Sequence, residues 1–295
     1  MSSSTVIIQT LNGLTIAAIY ILLASGLTIV FGLQGIVNCA HGLFYMLGAY
    51  LALSVVKYLG LSFWIALPVA FFANFLLGSG LEILGIRRLT RWGREFTHNL
   101  IFTLGVALLG QEIVKVIWGT VPQLMNVPAS LTGMAAIGSI QYPLYWLFVM
   151  VFAGLIMLGL YLFFMRTGLG ILVRSIALNS EISQALGTNA PRINTLIFGL
   201  GTGVAGLAGV LAGPILSVDP NMAFELLIIT FVVIIFGGLG SLAGVIVSGI
   251  IIGEVIAFGT AFVTGMFAKI LAFAVMITIL IIKPLGLFGR GVALE

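Results

Sequence analysis

The sequence predicts an all-α, polytopic transmembrane protein, a single membrane domain over 1–295 with eight or nine helical spans. Three observations carry that prediction. Apolar residues make up 61% of the chain and charged residues only 7%, where a soluble domain carries about 25% charged residues. Charge-free runs cover 1–56, 116–165, 193–218 and 226–253, each longer than the roughly 20 residues that a helix needs to cross a hydrocarbon core. The apolar stretches are continuous instead of alternating in short segments, which disfavours a β-barrel. A mean hydropathy of +1.28 excludes an ordinary soluble enzyme and a disordered chain.

Taken in order, spans are expected near 8–31, 36–57, 61–83, 99–118, 142–164 and 194–214. The region 225–283 holds two long segments or three, with breaks at Gly237-Gly238-Leu239-Gly240-Ser241 and near Thr264-Gly265. Met1–Thr5 lacks the basic residues of a cleavable leader, so none is expected. Nine of the 12 basic residues fall in loops that can share one side: Arg87, Arg88, Arg91, Arg94, Arg166, Arg174, Arg192, Lys283 and Arg290. Short-loop Lys and Arg mark the cytoplasmic face, which puts the N-terminus outside and, with nine spans, the C-terminus inside. The net charge of +4 is therefore topological and gives no reason to expect nucleic acid.

Two loops exceed simple connections. The outer loop 119–141 is turn-rich and uncharged, and is expected to carry a short surface helix or to pack over the membrane domain. In the inner loop 165–192, Asn179 or Ser180 can cap a short helix, Glu181 occupies its first turn, and Gly187 can end it. Ile182, Ala185 and Leu186 then share one face. Such a helix suits docking to a cytoplasmic partner, with an interfacial helix lying on lipid as the alternative.

Polar residues inside apolar runs are the candidate functional residues. The segment 31–42 joins two apolar runs yet holds Gln34, Asn38 and His41, with Gly32, Gly35 and Gly42 permitting an interrupted second span. Buried polar groups are costly without partners, so these are expected to line a passage or form its supporting shell. Asn12 and Thr28 are companions on the first span, and Gly42 belongs to the same break. Glu254 lies within apolar sequence and is expected to pair with Lys269, to be protonated or to meet an aqueous cavity. Glycine, 38 of 295 residues, recurs at small-xxx-small spacing in Gly199/Gly203, Gly209/Gly213 and Gly240/Gly244, which lets helices approach closely. Cys39 is the sole cysteine and there are two histidines, too few to argue a disulfide or a metal site. No phosphate-cradling GxxxxGK[ST] sequence occurs, so no nucleotide hydrolysis is expected of this chain by that route.

Four ordered blocks resemble the permeases of branched-chain amino-acid ABC importers, of the LivH-like type. They are Phe31-Gly-Leu-Gln-Gly-Ile-Val-Asn-Cys-Ala-His-Gly-Leu-Phe-Tyr-Met-Leu-Gly-Ala-Tyr50, Gly168 through Pro214, Phe236-Gly-Gly-Leu-Gly-Ser-Leu-Ala-Gly244, and Lys283-Pro-Leu-Gly-Leu-Phe-Gly289. The resemblance implies a multi-pass subunit of the bacterial inner (cytoplasmic) membrane, not catalytic itself. It also implies a second permease subunit, two cytoplasmic ATPase subunits that carry ATP and magnesium, and an extracytoplasmic solute-binding protein. It assigns the ATPase-coupling helix to 174–190, with Arg174, Asn179, Ser180, Glu181, Ile182, Ala185, Leu186 and Gly187 as its residues. Branched-chain amino acids are the first expectation for the solute; urea, short amides or aromatic carboxylates are alternatives, and an ion-coupled secondary carrier or channel is the alternative class.

Overall fold

A computed structural model describes residues 3–91, 96–138 and 140–289; Arg94 and Arg290, counted above among the basic residues, lie outside them. The chain is helical nearly throughout. α1 (Ser3–Gln34) is followed by α2 (His41–Leu53), which continues through a π-helical turn, Ser54–Tyr58. α3 (Phe63–Leu81) runs through a second π-turn, Glu82–Ile86, into α4 (Arg87–Arg91), and α5 is Phe96–Trp118. After the hairpin described below come α6 (Leu144–Arg166), α7 (Gly168–Leu178), α8 (Ser180–Ala185) and α9 (Ala190–Leu216). The last three are α10 (Met222–Gly237), α11 (Leu242–Phe262) and α12 (Gly265–Ile282). Both expected breaks in the C-terminal region are present, dividing it into three helices. Seven helices among the described residues are long and apolar enough to cross a membrane; α2 and α10 are shorter.

Of the two expectations for the outer loop, the surface helix is not what forms. In its place the loop folds into a two-stranded antiparallel hairpin, β1 (Met134–Ile137) and β2 (Ile140–Pro143), preceded by a single 3-10 turn at Ala129–Leu131. The hairpin is tied to the bundle by Tyr142, whose hydroxyl donates to Asn12 Oδ1 at 3.2 Å and lies 3.1 Å from Thr15 Oγ1. A turn-rich composition does not distinguish a helix turn from a hairpin turn; Gly138 at φ +60° fits the latter.

α9 is the hub, buried over 89% of its central apolar window. Its glycines face three neighbours at once. A Cβ on Gly201 would lie 2.6 Å from the Gly26 carbonyl oxygen of α1, one on Gly209 would overlap the Tyr45 carbonyl of α2, and one on Gly199 would reach Ser79 and Phe75 of α3. Small residues allow such approach where lipid supplies little hydrophobic drive. The Gly240/Gly244 pair departs from the expected shared face. Gly240 sits in the turn before α11 at φ +80°, against Gly32, whereas Gly244 packs on the backbone of Gly237. The C-terminal block 283–289 closes this corner: Leu287 N–H donates to Phe236 O at 2.9 Å and Phe288 N–H to Gly237 O at 3.0 Å. Orphan carbonyls at the end of α10 are thereby satisfied. Two of the sequence blocks that carried the resemblance are therefore one structural corner.

Candidate functional site

The second span is interrupted, as the sequence requires. Gly35, at φ +64°, ends α1, its N–H bonded to Phe31 O at 2.8 Å. Residues 35–38 are non-helical, and Asn38 turns the chain into α2: its Oδ1 accepts from Ala40 N–H at 2.9 Å, its carbonyl from His41 N–H at 3.2 Å. α2 thus starts inside the bundle. His41 Nε2 lies 2.9 Å from Leu23 O, about 16 Å of helix rise from the Gln34 end of α1. Cys39 N–H donates to Thr103 Oγ1 of α5 at 3.1 Å.

α10, also a short apolar helix, begins at the same place. Beyond α9 the chain turns at Ser217, the one described non-glycine residue with positive φ (+62°). Asp219 Oδ1 then accepts from Asn221 N–H at 2.6 Å, and Gln111 Nε2 donates to Asn221 Oδ1 at 3.0 Å. The first turns of α2 and α10 touch, with the position of a Cβ on Gly42 only 2.0 Å from Ala223 O. From this junction the helices diverge. α2 runs to the end where Trp118 Nε1 donates to Ser54 Oγ and Lys57 Nζ to Gln123 Oε1. α10 runs to the opposite, arginine-bearing end, where Gly240 meets Gly32. Two helix N-termini, each a positive dipole end, converge inside an apolar bundle; the amides of Ala40, His41, Asn221 and Met222 there are bonded to Asn38 and Asp219.

Asn38 and His41 are fully buried and Gly42 is buried at this junction. Asn38 Nδ2, His41 Nδ1 and Tyr45 Oη have no hydrogen-bond partner there, a concentration of unmet polar capacity that native interiors normally avoid. The other candidates are elsewhere. Thr28 is buried on α1 with its hydroxyl unpartnered. Gln34 Nε2 donates to Asn194 O at 3.0 Å, latching α1 to α9 at the arginine-bearing end, and Asn12 holds the hairpin at the other end. Glu254 does not pair with Lys269, which meets Glu225 instead. Its carboxylate packs over Gly13, with Oε1 unpartnered.

The inner-loop helix forms with the expected signals. Thr167 caps α7, accepting from Gly170 N–H at 3.1 Å, and Asn179 Oδ1 caps α8, accepting from Ile182 N–H at 2.9 Å. Glu181 is in the first turn and Gly187 follows at φ +90°. Arg174 donates to Phe164 O, binding α7 back to α6. Ser183 is the buried side of α8, while Ile182 is 59% and Leu186 82% exposed. Glu181 and Ala185 are exposed as well, and Ser180 is partly exposed. Leu178, the last residue of α7, is also 88% exposed.

One polar cluster has no counterpart among the sequence candidates. Glu82, 3% exposed, receives Arg87 Nε at 3.0 Å and Nη2 at 2.6 Å, and Thr195 Oγ1 at 2.7 Å. Arg87 Nη2 also donates to Pro191 O at 2.8 Å, so the ion pair, internal to the α3–α4 segment, is tied to α9 through hydrogen bonds with Pro191 and Thr195. Residues five apart do not face each other on an α-helix; the π-turn Glu82–Ile86, with its i→i+5 pattern, aligns them. The only sequence signal was a carboxylate inside the third apolar span.

The sequence model of the family described as "Branched-chain amino acid transport system / permease component" matches residues 9–280. The chain is 31% identical to the high-affinity branched-chain amino acid transport system permease protein BraD of Pseudomonas aeruginosa, over 96% of this chain and 95% of that protein. It is 28% identical to the permease protein LivH of Escherichia coli, again over 96% and 95%. A shorter stretch of 68 residues, 22% of this chain, is 44% identical to the high-affinity branched-chain amino acid transport system permease protein LivM of Escherichia coli, covering 16% of that protein. No solved structure matches. With the family matched over nearly all its length, the chain belongs to the permease components of branched-chain amino acid transport systems.

Proposed function

We propose that this chain is the membrane-spanning permease subunit of a binding-protein-dependent ABC importer for branched-chain amino acids. Similarity at full length to BraD and LivH carries the reading. In this assignment it pairs with a second permease and engages two cytoplasmic ATPases, which hold ATP and magnesium. An extracytoplasmic binding protein delivers solute, and the assembly sits in the bacterial inner membrane with the arginine-bearing end in the cytoplasm. α8 docks in the ATPase through Ile182, Ala185 and Leu186, with Arg174, Asn179, Ser180, Glu181 and Gly187 fixing its shape and anchoring.

The α2–α10 junction is the element that opens. Helix N-termini suit a substrate carboxylate, and the unpartnered groups of Asn38, His41 and Tyr45 supply neutral polar contacts. A zwitterion entering such a site would set its carboxylate against the positive ends of two helix dipoles and the neutral donors of Asn38 and Tyr45. Asn12, Thr28 and Gln34 act in the supporting shell. Solute competition on the reconstituted complex with its binding protein tests the reading. Leucine, isoleucine and valine each suppress labelled leucine uptake and stimulate ATP hydrolysis; failure of all three while urea, a short amide or an aromatic carboxylate succeeds would reassign the solute.

A further inference from the structure

We propose that the groove between α3 and α9 at the arginine-bearing end is a binding site for one anionic phospholipid. The two helices are pinned together where Gly199 meets Ser79 and Phe75, and beyond that contact a groove of about 390 Å³ opens. One wall is the α3–α4 segment, with Phe75, Ile83 and Arg87, and the other is α9, with Leu196 and Arg192, so each wall carries apolar residues and one arginine. These two characters are ordered along the bundle. Phe75 lies at the pinned floor, while Arg192 stands in the first turn of α9, where a long apolar helix meets the membrane surface.

The charge of the groove selects the head group. Arg87 is neutralised by Glu82, but Arg192 is exposed and has no carboxylate partner among the described residues. Arg87 Nη1 carries no bond among the described residues either, its Nε and Nη2 being spent on Glu82, Pro191 and Thr195. One uncompensated cation beside a free N–H donor matches a phosphodiester, which carries one negative charge. The apolar lining selects a tail. It continues into the exposed face of α3, where Phe72 is 60% and Leu76 68% exposed, so an acyl chain leaving the groove stays on an apolar surface. A free phosphate would leave Phe75, Ile83 and Leu196 uncovered. Basic pockets between transmembrane helices on the cytoplasmic side recognise anionic lipid head groups by this combination.

The test is native mass spectrometry of the full-length permease released from nanodiscs of phosphatidylcholine with a minor fraction of phosphatidylglycerol. The wild type retains one phosphatidylglycerol in preference to phosphatidylcholine. Arg192→Gln reduces that retention about fivefold, the factor for one basic residue at an anionic membrane surface. Leu196→Trp, which fills the groove and keeps the cation, reduces it as well. Unfolding midpoints in lipid-free detergent stay at the wild-type value for Arg192→Gln, because Arg192 has no structural partner. Full retention in either variant, displacement of the lipid by millimolar inorganic phosphate, or a lowered midpoint in Arg192→Gln overturns the proposal. So does loss of copurified ATPase with lipid retention unchanged, which makes the groove a protein contact.

Discussion

Gly42→Ala tests the junction between α2 and α10 with the smallest available perturbation. The added methyl carbon would stand 2.0 Å from Ala223 O, 2.9 Å from its carbonyl carbon and 3.0 Å from Leu227 Cβ. The nearest obstacle is backbone and cannot rotate away. Restoring ordinary van der Waals contact requires the helices to part by about 1.4 Å, and overpacking of this kind costs about 1–3 kcal/mol. Gly105→Ala is the control: Gly105 lies within α5 with no neighbouring heavy atom within 4 Å of an added Cβ, so the substitution is neutral or stabilises by about 0.5–1 kcal/mol. Equilibrium unfolding in mixed detergent micelles, followed by circular dichroism, separates the two, and leucine uptake by the reconstituted complex falls only for Gly42→Ala. Equal stability and equal uptake for both variants would refute the close approach of the two N-termini.

Three further outcomes follow from the same structure. Ile182→Glu and Leu186→Glu alter exposed positions, so permease stability stays within about 0.5 kcal/mol while ATPase copurification and uptake are lost; normal values for both would remove the docking role of α8. Asn179→Ala removes the cap of α8 and costs about 1 kcal/mol, read as faster hydrogen exchange at Ile182 N–H with α9 exchange unchanged. Glu82→Ala strands Arg87, whose side chain is only 23% exposed, and destabilises by about 3 kcal/mol; Glu82→Ala combined with Arg87→Ala recovers part of that loss, and an additive result would deny the coupling.

Local signals made much of the fold legible. Gly35, Gly187, Asn179 and the Gly237–Ser241 run each act on a few neighbouring residues, and each marks a break or cap in the structure. The interruption of the second span was readable from Asn38 and His41 because polar side chains in an apolar run need compensation that local sequence reveals. Its partner was not. Ala223 is an ordinary small residue, and only the tertiary path from Ser217 to Met222 brings it against Gly42. The Glu82–Arg87 pair escaped for a periodicity reason, since a π-turn changes which residues share a face. Polarity alone marks Asn12 and Gln34 as residues of a passage or its supporting shell; their hydrogen-bond partners Tyr142 and Asn194, 130 and 160 residues away, are not legible in local sequence.

Uphill leucine uptake into proteoliposomes tests the central assignment most directly. The account expects accumulation only when the permease pair, the ATPases, ATP and the loaded binding protein are all present, with Ile182→Glu abolishing it. Accumulation of leucine against its gradient by this chain alone, driven by an ion gradient without ATPase subunits, would contradict the assignment and make the chain a secondary carrier.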